Sequence, residues 1–139
     1  MDHMDNVDKF IAGNDLSMPM EEVPNFYRAL IETLDRMGNA AITKPANPLG
    51  IAYSLQKVAR DYVLRRTNQG DAEQALRVAL RIFAYLAPDD LLVQGESCRL
   101  LAILLCAQGR SQEAQLCDEK AVSLTMAAFH GGSHDANLN

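Results

Sequence analysis

No apolar run in this sequence reaches the roughly 18 residues that a membrane span needs, and no charged-apolar-small leader opens it, so a chain without membrane contact is expected. Nowhere does a strand-period alternation persist, which leaves helix as the regular element. Lysine and arginine total 13 against 18 acidic residues, and without a basic face there is nothing to displace counterions from phosphate, so nucleic acid is excluded as a partner. Cysteine is scarce: Cys98, Cys106 and Cys117 are odd in number, show no CxxC spacing and lie in apolar helical patterns, so buried free thiols in a reducing cytoplasm are expected. Phosphate loop, dinucleotide glycine fingerprint, serine elbow and HExxH are all missing. Glu21-Glu22 and Asp89-Asp90 suit helix starts better than acid-base pairs, because neighbours on a helix point in different directions. His130 and His134 have a metal-like H-x3-H spacing, but Gly131 and Gly132 between them oppose a helix. The expectation is therefore no enzyme, no cofactor and no metal.

What is present is helix, in 139 residues that suit one domain, a size at which folding hides about 68% of the unfolded chain's surface. The net charge of -5 sits at one end. Residues 1–22 carry six acids against Lys9, and the rest of the chain is balanced. This acidic segment has no sustained period and reads as a flexible leader, with a helical domain over 23–130 and a disordered tail over 131–139.

Five main helices are predicted. Pro24 can open the first, whose Phe26, Tyr27, Leu30, Ile31 and Leu34 form one apolar stripe up to the Gly38-Asn39 stop. The second runs from Pro48 to about Asn68 on Ile51, Leu55, Val58, Ala59 and Tyr62. Gly70 is expected to be the elbow after it and Asp71 the cap of the third, whose Ala72, Ala75, Leu76, Ala79, Leu80 and Phe83 keep the helical period up to Pro88. Asp89 or Asp90 can cap the fourth, and its apolar run Leu100 to Ala107 predicts the central, most buried helix. Gly109 forms the next elbow, Ser111 can cap the fifth, and Gly131-Gly132 closes it.

Gly70-Asp71-Ala72-Glu73-Gln74-Ala75 and Gly109-Arg110-Ser111-Gln112-Glu113-Ala114 share a pattern, with the two glycines 39 residues apart (109 − 70). A repeated hairpin cannot cover its apolar face alone and stacks on copies of itself, so the fold expected is all-α, of stacked antiparallel hairpins. A five-helix bundle without repeats is the alternative. The stretch from Glu96 to about Met126 resembles a tetratricopeptide repeat: Cys98, Leu101, Ala102 and Leu105 on the first helix, Gly109 at the turn, Ala114 and Ala121 as the small residues of the second. Asp118 departs from the pattern, standing where the family prefers a bulky aromatic. The stretch from Gly70 through Pro88, then Cys98 to Ala102 and Gln108-Gly109, also resembles the small tetratricopeptide chaperones of bacterial type III secretion systems, which hold a secreted subunit before delivery.

In tetratricopeptide hairpins the first helix lines the concave side. The resemblance thus implies a partner-binding face of Tyr53, Gln56, Arg60 and Leu64 from one helix and Glu96, Arg99 and Ile103 from another. Apolar with arginine at intervals, that face suits an amphipathic helix of another protein, or a small secreted subunit, with acidic residues on its flank. The function implied is a cytoplasmic chaperone or adaptor in a hetero- or homo-oligomer. The alternative is a structural or regulatory subunit that oligomerises without releasing a cargo.

Overall fold

A computed structural model describes the backbone of residues 3–137 and the side chains of residues 4–130, and the described residues are helical with no strand. Their helices in chain order are α1 (His3–Ile11), α2 (Val23–Met37), α3 (Ala40–Thr43), α4 (Pro48–Arg65), α5 (Gln69–Leu86), α6 (Leu91–Ala107) and α7 (Ser111–Asn137), with a 3-10 turn over Met20–Glu22. Five of these, α2 and α4 to α7, are the helices the periodicity predicts. Pro24 lies in the first turn of α2 and Pro48 opens α4, where Asn47 accepts from the Gly50 N–H at 3.0 Å. Asp90 caps α6 by accepting from the Val93 N–H at 3.3 Å.

The first elbow differs from expectation. Its turn is made by Arg66 and Asn68, both left-handed at φ 57° and 49°, while Gly70 is the second residue of α5. Asparagine tolerates this conformation better than most residues, so the glycine was not needed there. Asp71 accordingly lies inside the first turn of α5, where its carboxylate accepts from Arg28 Nε at 3.1 Å, and does not cap it. The second elbow is as expected: Gly109 has φ +76°, its N–H donates to the Cys106 carbonyl and that of Arg110 to the Leu105 carbonyl. The two glycines should therefore respond oppositely to alanine. Gly109→Ala forces a left-handed alanine and is expected to lower stability by about 1 kcal/mol, whereas Gly70→Ala, with open space where its Cβ would stand, raises it by ~0.5 kcal/mol. Urea midpoints of the two variants check this.

Three further features depart from the sequence reading. Residues assigned to a flexible leader form α1, whose Val7 is fully buried and whose Phe10 ring meets Phe26 edge-on at 5.5 Å. Val7, Phe10 and Ile11 stand at i, i+3 and i+4, a stripe too short to register against the surrounding acids. The connection before Pro48 contains α3, with Ala41 in the core. Gly131 and Gly132 do not end α7, which runs to Asn137, since glycine disfavours a helix by only about 1 kcal/mol and stops it only where a left-handed turn follows. The side chains of the tail, His134 included, lie outside the described residues.

The core is built around α5, which touches α2, α3, α4 and α6 and buries Ala72, Ala75, Leu76, Ala79, Ile82 and Phe83. Small residues on α5 let these neighbours approach closely. α6 lies between α7 and the α4/α5 pair. It is buried along Cys98, Leu101 and Leu105 but keeps an exposed stripe, so it is not covered all round. Ala114 and Ala121 of α7 are buried, as close-approach positions should be. Gly95 of α6 stands so near α7 that a Cβ there would meet Thr125 Oγ1 at 2.9 Å and the Ala121 carbonyl oxygen at 3.4 Å. All three thiols are free, yet only Cys98 is buried; Cys106 is exposed and Cys117 half-buried. Burial pushes the Cys98 thiol up.

Candidate interaction surface

α4 and α6 run side by side and are joined by three polar contacts at helical spacing. Tyr53 Oη donates to Asp90 Oδ2 at 2.6 Å, Gln56 Nε2 to the Val93 carbonyl at 3.3 Å, and Arg60 Nε to Glu96 Oε1 at 2.6 Å. Each joins residues 36 or 37 apart. The hydrogen bond to Asp90, and then partial burial, raise the Tyr53 phenol above its ordinary value, so the neutral phenol donates throughout the physiological range. The Tyr53 ring also meets Phe83 at 4.9 Å. Four of the seven residues expected to bind a partner, Tyr53, Gln56, Arg60 and Glu96, thus use their polar atoms within the protein. Gln56 is also only 4% exposed, so it is buried between α4 and α6 and offers no surface to a partner, contrary to expectation.

The other three stand clear. Leu64 is 75% exposed and Ile103 50%, and Arg99 is exposed with no side-chain partner among the described residues. Ile103 separates two hollows. One, of about 740 Å³, runs between α6 and α7 and is lined by Arg99, Ala102, Ile103, Cys106, Ala114 and Asp118 among others. The other, of about 270 Å³, reaches Val63, Arg66 and Gln69 at the far end of α4 and the start of α5. Alanines in the larger hollow keep it open, and Arg99 and Asp118 place opposite charges beside it.

α7 supplies residues that the sequence reading did not assign to this face. Asp118, Val122, Met126 and Phe129 are exposed and fall at i, i+4, i+8 and i+11, on a flank of α7 away from the buried Ala114 and Ala121. Their spacing was readable in the sequence. What was not readable is that no other described helix covers them, since α7 is the last layer and packs on α6. On α6 the matching exposed apolar residue is Leu92, one turn before Glu96.

Away from this surface a charged cluster ties the start of α5 to the start of α7. Arg110 donates to Glu73 at 2.8 Å and to Glu113 at 2.7 Å, and Arg77 donates to Glu73 at 3.0 Å. Hydrogen bonds from Arg110 hold the Glu113 carboxyl below the usual range and raise Arg110 itself. Because the folded value of Glu113 is depressed, the contribution of the cluster is present above the ordinary glutamate value and is lost as pH falls through the depressed one. These groups are screened by solvent, so the cluster fixes orientation more than it stabilises.

Among the described residues no group of three or more His, Cys, Asp or Glu side chains is placed to hold a metal ion, and no helix is long and apolar enough to cross a membrane. Comparison with protein-family models, with curated proteins and with solved structures finds no match to this chain.

Proposed function

We propose that this protein binds another protein and acts as a chaperone or adaptor that shields one amphipathic helix of its partner. The observation that carries this reading is the set of exposed residues Ile103 and Cys106 on α6 and Val122 and Phe129 on α7, on a protein whose buried polar side chains are all satisfied among the described residues. A stripe at helical spacing, floored by alanines, is what a guest helix needs in order to lay its own apolar face down. Arg99 beside it favours a guest with a carboxylate on that flank. A role like that of the small type III secretion chaperones, and a cytoplasmic location, extend this reading through the sequence resemblance.

Ile103→Asp tests the proposal. It is half exposed and away from the main core, so circular dichroism and urea midpoint should stay near those of the parent. Affinity capture from the native cell should lose the co-purifying chain, since an anchor at the centre of an interface contributes ~2 kcal/mol or more. An unchanged set of captured proteins would remove the face from consideration. Tyr53→Ala is a poorer probe than its exposure suggests, because it breaks the link to Asp90 and uncovers Phe83.

A further inference from the structure

The solvent face of the α6–α7 hairpin has the charge and apolar pattern that a twofold interface requires. On α6 the exposed stripe is Leu92, Arg99, Ile103 and Cys106, with the half-buried Glu96 between the first two. On α7 it is Asp118, Val122, Met126 and Phe129. The close approach of Gly95 to Ala121 and Thr125 fixes how the two helices are aligned. One turn along from that crossing, this alignment puts Arg99 of α6 at about the level of Asp118 of α7, and both line the groove. One turn the other way, Leu92 is level with Met126.

Six arginines, Arg28, Arg60, Arg65, Arg77, Arg81 and Arg110, each reach a carboxylate, while Arg36 and Arg66 do not. Arg99 is the arginine on this face and also reaches none, and Asp118 likewise has no side-chain partner among the described residues. A twofold axis running along the hairpin, in the plane of the face, would lay α6 of one copy on α7 of another without changing level. Arg99 would then meet Asp118 of the second copy and Asp118 its Arg99, while Leu92 would meet Met126 and Phe129. A patch suits such an interface only if it complements itself in this reciprocal way.

We propose that two copies of this protein associate face to face through α6 and α7, held by two reciprocal Arg99 to Asp118 ion pairs and closed at the end by Leu92 on Met126 and Phe129. The product is a four-helix layer about 25 Å long, the length of the 17 residues of α6. It goes beyond the binding of a foreign helix and makes the two occupants exclusive, because both use the α6–α7 groove.

Sedimentation velocity of the full chain across the micromolar range tests this without any guest, so its outcome does not depend on the partner-binding reading. The parent should sediment as a dimer that dissociates on dilution. Arg99→Glu and Asp118→Arg should each weaken the dimer by about tenfold or more, since each places like charges opposite one another twice. Combining them restores opposite charges and should recover most of the affinity. Both residues are exposed, so circular dichroism should report unchanged helix in all three variants. A parent that stays monomeric, a single reversal that leaves the dissociation constant unchanged, or a double variant no tighter than either single one would each overturn the proposal.

Discussion

Phe83→Ala is expected to remove about 4 kcal/mol of stability, because a fully buried phenylalanine cut back to alanine loses its transfer free energy and leaves a cavity that packed helices close only in part. Phe83 lies on α5, the helix that α2, α3, α4 and α6 all touch, so the cavity opens where several layers meet. It also removes the ring against which Tyr53 packs at 4.9 Å, and Tyr53 is the residue that links α4 to the cap of α6 through Asp90. Against a total of about 5 to 15 kcal/mol for a domain, this is a quarter or more of the stability, and the melting temperature should fall by roughly 10 to 20 °C. Tyr85→Ala, two residues away but 66% exposed, should stay within about 0.5 kcal/mol of the parent. Urea denaturation of the two variants side by side is the measurement, and equal losses would mean that α5 is not the central helix.

Gly95→Leu should be the second most damaging substitution, with a graded series that identifies the cause. The nearest neighbour of an added Cβ is the Thr125 hydroxyl, the end of a side chain that can turn away. Gly95→Ala is therefore expected near neutral, since the gain of about 1 kcal/mol in helix propensity offsets the crowding. Leucine is different: its branches must enter space held by the Ala121 carbonyl and Leu124, and backbone cannot yield. Forcing α6 and α7 apart should cost about 3 kcal/mol. It should also shift the level of Arg99 relative to Asp118 and so weaken self-association beyond the loss of stability. A Gly95→Leu variant as stable as Gly95→Ala would show that the hairpin tolerates separation and that this crossing does not set the groove.

How far the surface could be read beforehand depends on which residue is considered. The resemblance to tetratricopeptide hairpins assigns Arg99 and Ile103 to the binding face, and both are exposed on one side of α6. Gln56 was assigned by the same rule and is buried, because α6 packs close beside α4 at Val93 and gives its amide a carbonyl to meet. Period tells which residues share a face of a helix. It does not tell whether another helix lies on that face. The same limit explains Val122, Met126 and Phe129, whose stripe is visible in the sequence but whose exposure follows from α7 being the last layer.

By itself the sequence determined the five main helices, the proline starts of α2 and α4, the aspartate cap of α6 and the left-handed turn at Gly109, because each depends on neighbours within one or two turns. Tertiary structure alone decided that Arg66 and Asn68 make the first elbow, that α1 joins the core through Val7, and that Arg99 and Asp118 line one open groove. Those outcomes depend on which helices meet. That is set by the shape and burial of surfaces far apart in the chain, and no local pattern records it.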